Sequence, residues 1–245
     1  MSEGLRLAMW SGPRNISTTM MRSWENREDT VVVDEPLYAH YLISTGVDHP
    51  GREQVIASQP NDWQVVAKQL TGPIPGRKPV WYQKHMTQHV LADMDLDWLD
   101  GLTNCFLIRR PELVVASFTK VRPDAAVWEL GFEQQSRIFE HVSQNLGEAP
   151  LVLDAEEVLK DPKAMLGVFC AKLGIPFSDR MLHWPAGPRA SDGVWAPHWY
   201  AAVERSTGFE PYQARQPQLS AFQAGLAERC RPHYERIARY GLRAA

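Results

Sequence analysis

Five short runs rich in β-formers recur along the chain: Leu5–Trp10, Thr30–Asp34, Val80–Gln83, Asn104–Ile108 and Pro150–Leu153. Most are apolar without alternation, the pattern of strands covered on both faces. Between them lie segments with helical periodicity: Ser17–Arg27, Arg52–Ser58, Asn61–Leu70, Thr87–Met94, Glu112–Lys120, Ala126–Leu146 and Pro162–Leu173. A last helix is predicted over 218–240, with Leu219, Phe222, Leu226 and Cys230 on one stripe and a kink at Pro232. Strands alternating with helices predict a three-layer α/β/α fold around a central, mainly parallel sheet. Two stretches fit neither period. Gly72–Pro79 is a Pro/Gly connector. His183–Tyr200 carries three prolines and three tryptophans, and reads equally as a binding lid or as a surface strap pinned by Trp184, Trp195 and Trp199.

Length and charge narrow the function classes. A chain of 245 residues can bury a full core, so a single domain spanning 1–245 is expected. The formal net charge of −3 gives no field favouring nucleic acid or an acidic membrane, so neither is expected as a partner. No apolar run is long enough for a bilayer, and no secretory leader is evident. Cys105, Cys170 and Cys230 are widely spaced and odd in number, which predicts buried thiols in a reducing cytoplasm.

The chemistry concentrates first between Leu5 and Trp24. An apolar run enters a turn at Gly12-Pro13; Arg14, Asn15, Ile16 and the hydroxyls of Ser17, Thr18 and Thr19 follow, and then a helical pattern begins. A strand, a loop and a helix N-terminus in that order bind anions, because the first amides of a helix lack internal partners. Counted from Gly12, the second glycine of a nucleotide-hydrolysing P-loop is replaced by Ser17 and its lysine by Thr18. What remains suits a terminal anion that is not split with a metal. The bland alternative is an ordinary turn with Ser17 as N-cap. The logic recurs at Cys105–Phe118, where a buried strand ends in Arg109 and Arg110, Pro111 opens a helix and Ser117 lies on it. There the alternative is that the arginines merely pair with surface carboxylates.

With these two motifs the chain resembles the sulfotransferases that use 3′-phosphoadenosine 5′-phosphosulfate (PAPS), on a P-loop NTPase-like fold. Pro13–Thr19 is similar to that family's 5′-phosphosulfate loop, and Arg109–Ser117 to its 3′-phosphate motif. Pro150–Phe177 also looks like a family segment, so the similarity runs in order from about residue 5 to 177. The resemblance implies that Arg14 and Asn15–Thr19 hold the phosphosulfate, and Arg109 and Ser117 the 3′-phosphate. It implies PAPS as donor, no metal, and a small-molecule acceptor offering a hydroxyl or amine. Ile16 replaces a loop glycine, and Thr19 stands where many members stack an aromatic on adenine, leaving Trp24 or the Trp-rich loop as stacking candidates. Arg205–Gly208 matches the family's C-terminal basic-glycine element only loosely.

Sulfuryl transfer needs a base for the acceptor and cations for the transferring group. Trp81–His89 resembles a family Lys-x-His element with the middle residue absent, which nominates Lys84 as the cation and His85 as the base. Glu35, directly after the second strand, is the other candidate base, since some members use a glutamate at a similar place. His89, His141 and His233 read as packed or solvated. Two other functions stay open: a small-molecule kinase with an altered phosphate loop, for which Asp34 would hold Mg²⁺, and a non-catalytic nucleotide-binding protein of the same fold.

Overall fold

The computed structural model describes residues 4–244; Met1–Glu3 and Ala245 of the expected 1–245 domain lie outside them. Five strands, β1 (Leu5–Ser11), β2 (Thr30–Asp34), β3 (Val80–Met86), β4 (Thr103–Ile108) and β5 (Leu151–Asp154), form one sheet in the order β2-β3-β1-β4-β5. Every neighbouring pair is parallel. The helices are α1 (Ser17–Glu25), α2 (Tyr38–Thr45), α3 (Arg52–Ser58), α4 (Trp63–Leu70), α5 (Pro111–Phe118), α6 (Phe132–Leu146), α7 (Ala155–Lys160), α8 (Pro162–Lys172), α9 (Ala196–Trp199), α10 (Ala201–Glu204) and α11 (Ala221–Ala238).

Side-chain alternation along the strands explains the three layers. On β1, Leu7 and Met9 join Met20, Met21 and Trp24 of α1 and Phe169 of α8 on one face. Ala8 and Trp10 join Val66 and Leu70 of α4 and Ile138 and Phe139 of α6 on the other. Both faces are therefore apolar, which is why the strands read as unbroken hydrophobic runs. The arrangement is the expected parallel α/β sheet of P-loop type. In such sheets ligands bind beyond the carboxyl ends of the strands, and here β1, β3 and β4 deliver their C-terminal ends side by side in the centre.

The local differences have physical causes. Thr87–Met94 is not a helix: after a 3-10 turn at Thr87–His89 the chain runs on without regular structure. Ala126–Leu146 is broken at Gly131 (φ 72°), where a Cβ would lie 2.5 Å from Thr87 Oγ1. The predicted 218–240 helix spans Ala221–Ala238; Leu226 and Cys230 of its stripe are buried, whereas Phe222 is 51% exposed. The Trp-rich stretch is a strap that ends in α9, with Trp184 and Trp195 buried. The three cysteines are buried and free.

Candidate active site

The loop after β1 is held from below. Asn15 donates from Nδ2 to the Leu107 carbonyl at the end of β4 (3.0 Å), and its Oδ1 accepts from the Ile16 amide (2.8 Å). Gln135 donates to the carbonyls of Trp10 (3.0 Å) and Leu107 (3.1 Å), tying β1 and β4 together beneath the loop. Arg14 adopts φ 56°, a left-handed backbone that is costly for a residue with a Cβ. Ile16, not Ser17, occupies the N-cap position of α1, and no side chain caps the helix. Among the described residues its first-turn amides and the hydroxyls of Ser17, Thr18 and Thr19 have no side-chain partner, and such a helix start favours negative charge.

The second motif meets the first. Arg109 donates from Nη1 to the Arg14 carbonyl (2.5 Å), and Arg14 donates from Nε to Ser117 Oγ (2.9 Å). Arg110 turns away and pairs with Glu156 (2.5 and 3.0 Å), so of the two arginines only Arg110 follows the surface-pair reading. Burial, and then the positive charge of Arg215, lower the pKa of Arg109. A group of guanidiniums gathered in this way is a receptor for negative charge.

A cavity of about 740 Å³ joins these groups to a third cluster. Pro13–Thr19, Arg109 and Ser117 line one end; Glu35, Lys84, Tyr38, His49, His89, Trp199 and Tyr200 line the rest. Glu35 is the residue after β2 and holds φ 40°, another strained position. Lys84 Nζ donates to Glu35 Oε1 (2.5 Å), Asp34 Oδ1 (2.8 Å) and the Tyr200 hydroxyl (2.8 Å). An ammonium has three N–H donors, so all are engaged. Among the described residues no group donates to Glu35 Oε2. Burial pushes Glu35 above the usual carboxylate range, with Lys84 acting against it. Lys84 is raised well above its ordinary value because the two carboxylates outweigh its burial.

The adjacent pair Lys84 and His85 is split by the strand. Lys84 faces the cavity, and His85 points through the opposite face of the sheet. There it stacks on Trp10 (centroids 4.1 Å apart, 22° between planes), and Nε2 lies 3.2 Å from Gln83 Oε1. Burial drives its pKa down to about 3. The structure does not bring His85 to the other candidates. Period-two alternation alone forbids consecutive strand residues from sharing one face. Trp24 is likewise a core residue, stacked on Tyr82 (5.4 Å). Of the stacking candidates, Trp199 and Tyr200 of the Trp-rich loop line the cavity.

Several lining residues escaped the sequence reading. His89, read as packed or solvated, is packed: it stacks on Tyr38 (4.7 Å, 15°) in the cavity wall, and burial first, then His49, hold it well below its ordinary pKa. His49, 2.7 Å from the Tyr38 hydroxyl, is pushed by burial to about 4. Arg215 borders the same cavity, as do Ser206 and Gly208 of the loosely matched segment.

A family model described as a sulfotransferase domain matches residues 5–239. The chain belongs to the sulfotransferase domain family. Two proteins of Arabidopsis thaliana, branched-chain-amino-acid aminotransferase-like proteins 2 and 1, are 37% and 38% identical to this sulfotransferase-family chain, over 92% and 96% of it. The chain spans only 40% and 42% of their length, about two fifths, and their names describe the longer proteins. In structure it is similar to the sulfotransferase domain of the Synechococcus PCC 7002 olefin synthase (TM-score 0.54, 16% identity, 91% of this chain and 93% of that one). It is also similar to a sulfotransferase from Alicyclobacillus acidocaldarius (TM-score 0.53, 12% identity, 98% and 97%). At such identities the likeness is one of fold. No helix among the described residues is long and apolar enough to cross a membrane.

Proposed function

We propose that the chain transfers a sulfuryl group from PAPS to a hydroxyl or amine of a small-molecule acceptor, with Glu35 as the base. The observation that carries this reading is the single cavity that holds an uncapped helix N-terminus, the linked Arg14, Ser117 and Arg109, and the Glu35–Lys84 pair. The residues fit a donor charged at both ends. The open amides of α1, with Arg14 and Ser17–Thr19, suit the phosphosulfate; Arg109 and Ser117 suit the 3′-phosphate. Bound there, the donor supplies an activated sulfuryl group and an adenosine bisphosphate leaving group.

The remaining roles belong to the chain. Glu35 takes the acceptor's proton at Oε2, the oxygen that Lys84 does not hold. Burial gives it a basicity above that of an ordinary carboxylate, closer to working pH. Lys84 holds Glu35 in place and balances its charge. Arg14 bears on the negative charge of the transferring group and its leaving oxygen. The wall of Tyr38, Trp199 and the uncharged His49 and His89 shields the acceptor from water. Three buried free thiols suit a cytoplasmic enzyme. Asp34 is engaged at both oxygens, by Lys84 and by Tyr200 and the Gly193 amide, which disfavours the magnesium role that a kinase needs.

The test is transfer of ³⁵S from labelled PAPS to a panel of hydroxyl and amine acceptors, run beside γ-³²P-ATP with Mg²⁺. Label transfer from PAPS, lost in Glu35→Gln, is the expected result. Transfer from ATP alone, or from neither, contradicts the reading.

A further inference from the structure

Tyr200 is 4% exposed and 116 residues from Lys84, yet its hydroxyl is built into the surroundings of the base. It accepts from Lys84 Nζ (2.8 Å) and from the indole N–H of Trp195 (3.1 Å), and it donates to Asp34 Oδ2 (2.7 Å). A phenolic hydroxyl has one proton to give and two lone pairs, so its capacity is filled. Asp34 Oδ2 also accepts from the Gly193 amide (3.2 Å). The strap carrying these groups is anchored on α1: Arg22, 1% exposed, meets Asp192 at 2.6 and 2.7 Å, and Ser191 Oγ donates to Glu25 Oε1 (2.5 Å). The strap is therefore a wall of the site with a fixed position.

The cluster sets two carboxylates against one ammonium, all buried. The division of Lys84 between Asp34 and Glu35 decides how well Glu35 keeps its charge. The proton that Tyr200 gives to Asp34 supplies stabilisation that Asp34 otherwise draws from Lys84. We propose that Tyr200 is a positioning residue for the base: its hydroxyl keeps Lys84 shared between Asp34 and Glu35, so that Glu35 stays ionised with Oε2 left for the acceptor. The role of Glu35 in this proposal rests on the sulfotransferase reading above. The charged and titratable groups around the cluster are few. Glu35 is faced by Asp34, Lys84, Tyr200 and Tyr38. Lys84 also feels Tyr82 and His89, and His85 from across the sheet; Asp34 acts on Arg22.

The test reads the carboxylate directly. Carbon NMR of protein labelled with ¹³Cδ-glutamate gives the Glu35 midpoint, with its signal assigned by its loss in Glu35→Gln. The acid limb of the kcat profile is measured alongside. In Tyr200→Phe both midpoint and limb move up by about one pH unit, because Asp34 then claims more of Lys84. In Asp34→Asn both move down, because Lys84 is left to Glu35 and a like charge is gone. An unmoved midpoint in either folded variant, or shifts of the same sign in both, overturns the proposal; if Tyr200→Phe does not fold, Asp34→Asn decides it by the same criterion. The midpoint needs no turnover. Opposite shifts in a protein that transfers no sulfuryl group therefore overturn the functional reading and leave the positioning role standing.

Discussion

Arg14 is asked to hold a left-handed backbone and to present a guanidinium, and two substitutions separate these demands. With φ at 56°, a Cβ at position 14 costs about 1–2 kcal/mol. Glycine removes that cost but gives back roughly 0.5–1 kcal/mol through the freedom of the unfolded chain. Arg14→Gly should thus be more stable than Arg14→Ala by about 1 kcal/mol, or roughly 2–4 °C in Tm for a chain of this size. The hydrogen bond to Ser117 Oγ (2.9 Å) is lost equally in both, so it cancels from the comparison. Turnover should fall by about 10²–10³ in both variants, because neither carries the preorganised charge. Thermal melts and ³⁵S transfer at saturating PAPS give the two numbers. Equal melting points would show that the loop does not hold the left-handed turn. Near-normal turnover in either variant would show that the guanidinium does not act on the transferring group.

Glu35→Gln should lower kcat by about 10²–10⁴, whereas His85→Ala should lose about 2–4 kcal/mol of stability, as buried ring truncations do, with kcat of the folded fraction changed only a few-fold; rates and denaturant melts on the two proteins check this. Since burial raises Glu35 and the proposed base acts in its charged form, kcat should fall as pH drops through a midpoint above the usual carboxylate range; a pH–rate profile checks it. The same shift affects folding with the opposite sense: Glu35 contributes stability below its ordinary value of 4.5 and loses it as pH rises through the raised one, so melts of Glu35→Gln should gain on the wild type towards neutral pH. Asp192→Ala leaves the buried Arg22 without its main partner and should cost roughly 3 kcal/mol, measured by urea unfolding.

The strands were legible because a parallel sheet buried on both faces writes itself as continuous apolar runs, and each of the five lies within a few residues of its expected place. Short helices were not. Tyr38–Thr45 is rich in aromatic and β-branched residues, and Ala155–Lys160 is one charged turn straight off a strand, so neither shows a period. Thr87–Met94 misled in the opposite direction: Thr87–His89 are buried but form only a 3-10 turn, after which Val90 is extended (φ −93°, ψ 94°). The turn and helix start after β1 could be read because their punctuation is local. The Glu35–Lys84–Tyr200 cluster could not: Glu35 and Lys84 are 49 residues apart and Lys84 and Tyr200 are 116 apart, brought together by the parallel crossover and the strap. Strand alternation carries one signal here: Lys84 and His85 are neighbours on a strand, so only one of them can face the cavity.

The central claim is that Arg14 and Arg109, joined through one carbonyl, receive the two ends of a single doubly phosphorylated nucleotide. Titration calorimetry of 3′-phosphoadenosine 5′-phosphate against adenosine 5′-phosphate, in the wild type and in Arg109→Ala, tests it directly. The account predicts that the 3′-phosphate tightens binding at least about tenfold in the wild type, the equivalent of one charge-assisted hydrogen bond, and that this advantage disappears in Arg109→Ala. Equal affinity for the two nucleotides in the wild type, or an advantage that survives in the variant, would contradict it.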